Sequence, residues 1–458
     1  MFSTLDLLKK YDVPGPRYTS YPTVPAWTES VGVLAYAKAL AEVTRDEALS
    51  LYFHLPFCEK LCHFCGCFKI ITPDHSRSRP YVETLLLELD LVLAHLKNSG
   101  RKVSQIHFGG GTPNFIQPKE MSLIMRRVRE NFDVLPGAEI AIEMHPRTST
   151  KEFCDNLKHE GFNRISLGVQ DFDEEVQKLI NRHQSFEMTR EMVMYLRSLG
   201  FQSFNFDLIY GLPGQTLKKF EKTLELTFAL KPERLAVYSY AHVPWKSPVQ
   251  RSFKDEDLPN AETKLKLYEL ALRAFSANDY HQVGMDHFAL ATDELYLALK
   301  RGGLHRNFMG YSTKADAHQI GLGISSISYV AGNYFQNAKE MAGYESAVRE
   351  GRLTTIRGYE LCTDDHIRRD LITEIMCHFG VDFGAFGKKH DIDAWDYFRA
   401  DLSLLADLQT DGLVTINARG LNVTDSGRLV VRNVAMCFDR YLDEIRRVSK
   451  NPVFSRTV

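Results

Sequence analysis

The chain has 458 residues, 44% hydrophobic and 25% charged, enough for one large domain and a smaller one. Its 56 basic and 58 acidic residues nearly cancel, which gives no support to nucleic-acid binding by bulk electrostatics. No stretch approaches the ~20 apolar residues that span a bilayer, and residues 1–12 lack the charged-then-apolar layout of a signal peptide. A cytoplasmic protein with reduced thiols, without membrane or nucleic-acid partners, is expected.

Residues 1–45 read as an irregular arm, its 13–23 stretch too rich in Pro for regular structure, with a helix over 32–44. Short β-branched and aromatic runs at 50–54, 103–108, 138–143, 164–169, 203–209 and 234–240 read as strands. Between them, apolar residues at three-to-four spacing predict helices over Tyr81–Leu96, Lys119–Asn131, Met188–Ser198 and Leu217–Leu230. Six β-then-α units predict an α/β fold: a parallel sheet curving into a partial (β/α)6 TIM-like barrel, helices outside, open on one side. The alternation fades near residue 260, and from about 355 the pattern is mainly helical. Leu402–Leu408, a hairpin over 411–424 and a last helix resemble a winged-helix module. Neutral charge favours a packing role for it over DNA binding. The expected division is an arm (1–45), a barrel (46–345) and a helical C-terminal domain (346–458).

Between the first two strands, Cys58, Cys62, Cys65 and Cys67 crowd into ten residues, while the other four cysteines are scattered. This is a soft-metal loop rather than a disulfide framework. Structural zinc, the competing reading, usually draws on two separated ligand pairs. Closely spaced thiolates from one short run suit an iron–sulfur cluster, and three of them leave a fourth iron open for chemistry. Cys67, separated from Cys65 by Gly66 alone, reads as a neighbour rather than a ligand.

Catalytic groups of βα barrels sit just beyond the strand C-termini. There lie the cysteine loop, Gly109-Gly110-Gly111-Thr112-Pro113, Glu143, Gln170 with Arg182, Asp207, and Tyr240-Ala241-His242. Glycines let backbone approach a ligand, carboxylates can bond ribose hydroxyls, and Arg can clamp a carboxylate. Tyr52 and His54 share one face of the first strand by its two-residue period. They join Cys67 and Arg17 as candidate catalytic or substrate-positioning residues.

The C-x3-C-x2-C loop resembles the signature of radical S-adenosylmethionine enzymes. With Tyr52-Phe-His-Leu-Pro-Phe-Cys, Cys65-Gly-Cys67, Gly168-Val-Gln-Asp-Phe, Asp207-Leu-Ile-Tyr-Gly-Leu-Pro, Gly284-Met-Asp-His-Phe-Ala, His305-Arg-Asn-Phe and Arg432-Asn-Val-Ala-Met-Cys-Phe, the chain resembles the oxygen-independent coproporphyrinogen III oxidases over nearly its whole length. The resemblance implies one 4Fe-4S cluster and two S-adenosylmethionine molecules. It also implies oxidative decarboxylation of two propionates of coproporphyrinogen III to vinyl groups through a 5′-deoxyadenosyl radical. By motif, Cys58, Cys62 and Cys65 would hold the cluster. Tyr52, Gly110, Glu143 and Ile327 would contact the first S-adenosylmethionine. Phe64, Gly111, Thr112, Gln170, Arg182, Asp207 and Ala241 would contact the second. Arg17 and Tyr18 of the arm would clamp a propionate.

Two positions depart from the family pattern. His145 replaces an acid in Glu-Met-His-Pro-Arg, and Met309 replaces a glutamine, losing an amide. The rival readings are a haem-binding chaperone, a haem-modifying radical methyltransferase, and a structural zinc protein. Partners expected for the oxidase are coproporphyrinogen III and an unidentified electron donor and acceptor, acting on a monomer.

Overall fold

The computed structural model describes residues 4–96, 101–245, 247–314, 318–449 and 453–457. Packing groups the chain into two compact units: Thr28–Asn260 with Asp316–Glu360, and Met1–Trp27 with Ala261–Ala315 and Leu361–Val458. Both are discontinuous in sequence, whereas the expected division at 45 and 345 is consecutive.

The first unit contains all six expected strands: β1 (Leu49–Leu55), β2 (Arg101–Gly110), β3 (Phe132–Met144), β4 (Arg164–Gln170), β5 (Phe204–Tyr210) and β6 (Arg234–Ser239). Each pairs in parallel with the next, in the register Leu51↔Ile106, Ile106↔Ile140, Ile142↔Ile165, Leu167↔Phe206 and Phe206↔Leu235. The chain then returns to the other side of β1. There β7 (His318–Leu322) adds a seventh parallel strand, with Leu51 opposite Ile320. Antiparallel strands β8 (Ile327–Val330), β9 (Asn333–Asn337) and β10 (Thr355–Tyr359) extend the sheet beyond it.

The two-residue period of these strands sorts their side chains. One set is apolar and fully buried, among it Leu51, Phe53, Ile106, Phe108, Ile142, Ile165, Leu167 and Phe206. The Phe53 and Phe108 rings stack at 4.9 Å. The alternate set is polar and is satisfied strand to strand. Ser50 donates to Gln105 (2.9 Å), Gln105 donates to Glu139 (2.9 Å), and Asn205 donates to Ser166 (2.9 Å). Arg164 Nε lies 2.8 Å from Glu139 Oε2. Burial alone would raise the Glu139 carboxyl, but the Arg164 and Arg234 charges outweigh it and bring it down to about 2.

Helices Pro118–Asn131, Lys151–His159, Phe186–Ser198 and Leu217–Ala229 connect the strands. Thr150, Ser185 and Thr216 cap three of them through side-chain oxygens that accept a backbone N–H of the first turn. The expected helix over 32–44 is present as Val33–Glu42.

In the second unit the arm, expected to be irregular, opens with a helix, Thr4–Tyr11. The irregular stretch after it is fastened by side chains: Arg432 donates to the Gly15 and Pro16 carbonyls, and Tyr18 OH donates to Asp439 at 3.1 Å. The expected hairpin is present as Val414–Asn417 against Gly420–Val423, with Gly380–Asp382 as a third strand on its other side. Among the described residues no helix is long and apolar enough to cross a membrane.

Candidate active site

Within the first unit the strand C-termini surround a cavity of about 170 Å³. Cys58, Cys62, Cys65 and Cys67 line it together with Phe64 and Lys69. So do Gly110, Gly111, Thr112, Glu143, Gln170, Arg182 and Asp207. The structure thus gathers residues from five strand ends, spread over 150 positions of chain, at one place.

The cysteine loop is held by hydrogen bonds at both of its ends. It turns through Cys65 N–H to the Cys62 carbonyl (3.2 Å), and Lys69 Nζ donates to the Cys65 and Cys67 carbonyls, both at 3.1 Å. Thr112 OH donates to the Cys58 sulfur (3.2 Å) and Arg182 Nη1 to the Cys62 sulfur (3.5 Å). Burial pushes the Cys58 thiol up to about 11. A hydrogen bond from Cys67 brings Cys65 down to about 6 and holds Cys67 itself well above the usual thiol range. Among the described residues, no three His, Cys, Asp or Glu side chains converge tightly enough for a single metal ion. Cys58, Cys62 and Cys65 nevertheless line one cavity, with a hydroxyl and a guanidinium donating to two of the sulfurs, a donor set whose chemistry suits a cluster.

Beyond β2 the glycines are a steric requirement. Gly110 has φ +115°, and a Cβ there would stand 2.6 Å from the His54 ring. A Cβ on Gly111 would stand 2.5 Å from the Pro56 carbonyl oxygen. Backbone therefore lies close against the base of the cysteine loop.

Glu143, at the end of β3, lines the cavity and has 45% of its side-chain surface open. Protein surrounds it otherwise, and that burial would raise its carboxyl. A hydrogen bond from His107 Nε2 (3.1 Å), the His107 charge and the Gly110 N–H together lower it below the usual range. Asp207 moves the other way, raised to about 7 by burial and then by the Glu143 charge, and accepts from Asn205 at 2.9 Å. Two carboxyls of one cavity thus carry different charge near neutral pH, Glu143 ionised and Asp207 partly protonated.

Tyr52 and His54 stand behind this wall rather than in the lining. Their side chains meet at 3.2 Å, and the Tyr52 ring stacks on His107 at 5.9 Å. Burial lowers His54 to about 4, so it is neutral at pH 7. Ala241 follows β6 and Ile327 opens β8; neither lines the cavity. Phe64 also packs against a buried cluster that includes Val176, Ile180 and Tyr240. Arg17 belongs to the second unit, where it pairs with Asp286, and Arg306 Nε donates to its carbonyl at 3.1 Å. Sequence reasoning passed over His107 and Lys69. His107 carries no signal of its own, because the strand from Arg101 to Gly110 mixes polar and apolar residues on both faces.

The sequence matches the radical SAM superfamily over residues 52–227 and the HemN C-terminal domain over residues 362–430. It is 44% identical to the oxygen-independent coproporphyrinogen III oxidase of Escherichia coli (strain K12), across 99% of this chain and 98% of that protein. With the Pseudomonas aeruginosa enzyme of the same name it shares 41% identity, over 96% of each. The chain belongs to the oxygen-independent coproporphyrinogen III oxidase family. The solved structure of coproporphyrinogen III oxidase (HemN) from Escherichia coli, described as a radical SAM enzyme, superposes with a TM-score of 0.91 at 43% identity, covering 95% of this chain and 98% of that one.

Against the family pattern, His145 keeps a capping task open to an acid at that position. Its Nδ1 accepts the Arg147 N–H at 3.2 Å at the start of the turn Pro146–Thr148. Burial, with the Arg182 and Arg147 charges, holds it well below the usual histidine range, so it caps as a neutral acceptor. Met309 lies in the tight turn after His305–Asn307, its N–H donating to Asn307 Oδ1 at 2.9 Å, and does not line the cavity.

Proposed function

We propose that this chain converts two propionate side chains of coproporphyrinogen III to vinyl groups without oxygen, releasing two CO2 and giving protoporphyrinogen IX in haem biosynthesis. The observation that carries the reading is the meeting of Cys58, Cys62 and Cys65 with Gly110, Glu143 and Asp207 at one cavity, in a chain matched end to end by the oxidases.

A 4Fe-4S cluster on those three cysteines and two S-adenosylmethionine molecules, when bound, supply the one-electron chemistry that takes hydrogen from the propionate and allows CO2 to leave. The protein binds, orients and excludes water. Glu143, ionised and anchored by His107, presents an anion to an ammonium, and the backbone at Gly110 and Gly111 leaves room for a ligand. Arg182, held by the Gly168 carbonyl, offers its guanidinium to a carboxylate. Asp207 provides a carboxyl for ribose hydroxyls, and Phe64 an apolar face. Tyr52 and His54 orient the Glu143 wall from behind, and Cys67 serves beside the ligands without being one. Arg17 exchanges Asp286 for a substrate propionate. The protein works as a cytoplasmic monomer with a separate electron donor and acceptor, and without membrane or nucleic acid.

Anaerobic reconstitution followed by an assay for protoporphyrinogen IX tests the reading, with Cys62→Ser as the control. Product from the wild type alone supports it. Haem retention without CO2 release would instead make the chain a chaperone, and methyl transfer to haem a methyltransferase; the oxidase relatives favour neither.

A further inference from the structure

Asp171 follows Gln170 and is fully buried, yet no step above uses it. Its Oδ1 accepts from the Asp173 N–H (2.7 Å) and the Thr223 hydroxyl (2.6 Å), and its Oδ2 from Gln215 Nε2 (2.6 Å). Gln215 lies on the loop after β5. It donates also to the Ile209 carbonyl (3.0 Å), while its Oε1 accepts the Gly211 and Leu212 N–H groups at 2.6 and 3.3 Å. That amide therefore locks the loop that leaves the strand of Asp207.

On the other side, Gln177 Nε2 donates to the Asp171 carbonyl (2.8 Å) and the Gln184 carbonyl (2.6 Å). Gln184 Nε2 returns to the Gly168 and Val169 carbonyls at 3.2 and 3.3 Å. The segment from 171 to 184 is thus folded back onto the end of β4, and Arg182 projects from it. Arg182 holds the same Gly168 carbonyl (2.5 Å) and reaches the Cys62 sulfur (3.5 Å).

All three partners of the carboxylate are uncharged. A buried anion without a cation is a costly choice where apolar packing would serve, and burial raises this carboxyl to about 6. What the arrangement gives in return is geometry, because every member of a closed polar network has one position.

We propose that Asp171 is a positioning residue: its carboxylate fixes the loop carrying Arg182 against the loop that follows Asp207, and so sets the S-adenosylmethionine pocket these two residues share. The inference rests on the cofactor reading above, in which Gln170, Arg182 and Asp207 serve the second molecule.

Asp171→Asn is nearly isosteric. Its oxygen still takes Asp173 and Thr223, but its NH2 faces the NH2 of Gln215. Equilibrium dialysis of labelled S-adenosylmethionine against the full, anaerobically reconstituted chain is expected to show one site unchanged and the other weakened roughly tenfold. Iron content and melting temperature stay near wild type, and KM for S-adenosylmethionine rises more than kcat falls. Asp171→Asn/Gln215→Glu turns the facing donor into an acceptor and, although it gives up the bond to the Ile209 carbonyl, recovers part of the affinity. A D171N isotherm that overlays the wild type overturns the proposal. So does a parallel fall of iron, melting temperature and affinity that the double variant does not relieve, since Asp171 would then only hold the fold. If the wild type takes up a single molecule, the two-cofactor reading fails, and the proposal stands or falls on whether D171N weakens that one.

Discussion

His107 Nε2 stands 3.1 Å from Glu143 Oε1, on neighbouring strands whose C-termini meet at the cavity. The pair, rather than the carboxylate alone, keeps a negative charge in a place where burial opposes it.

His107→Phe keeps an aromatic ring against Tyr52 but removes the donor. The Glu143 carboxyl then rises, and S-adenosylmethionine binding weakens roughly tenfold, the loss of about one charge-assisted hydrogen bond. Dialysis beside an iron assay checks this: iron content is expected to stay at the wild-type level.

The proposed function separates the cysteines by role. Cys65→Ser loses the cluster and Cys67→Ser keeps it, read as iron and sulfide per chain and as the brown absorbance after anaerobic reconstitution. Equal loss in both variants would make Cys67 a ligand.

Gly110→Ala places a methyl 2.6 Å from the His54 ring at a φ of +115°. The backbone alone costs about 1–3 kcal/mol there, and His54 must move. A fall in melting temperature together with at least tenfold loss of S-adenosylmethionine affinity is expected, whereas Gly137→Ala, with nothing near its Cβ, leaves the affinity unchanged.

Glu139 gives a pH signature. Its folded-state value of about 2 lies below the usual 4.5, so its contribution is present above pH 4.5 and is lost as pH falls toward 2. Glu139→Gln leaves Arg164 without its carboxylate and costs roughly 3 kcal/mol at pH 7. Urea midpoints for the two proteins are expected to differ by a constant amount from pH 8 to about 5 and to converge below that.

The six parallel strands and their helices were legible because each strand is a compact β-branched or aromatic run and each helix repeats its apolar residues at a steady spacing. The cysteine loop and the glycine run were legible because cluster ligation and close backbone approach tolerate few substitutes. Strands β7 to β10 were not. They are four or five residues long, mostly antiparallel, and β7 finds its partner β1 more than 260 positions earlier. The helix Thr4–Tyr11 is a single short amphipathic stretch ahead of a proline-rich one, and the prolines dominated the reading. His107 and Asp171 were missed for one reason. Their importance lies in what they bond across strands and loops, and no spacing along the chain encodes that.

The pairing of β7 with β1 bears on how this protein can be divided. The superfamily match ends at residue 227, yet the backbone groups of residues 49–53 that face β7 are satisfied only by residues 318–322. A chain cut near residue 260 would present that row to solvent, an invitation to intermolecular strand addition and precipitation. The sheet of the first unit is therefore complete only once residues 318–322 are in place, and a fragment ending near residue 260 is expected to precipitate where the full chain does not.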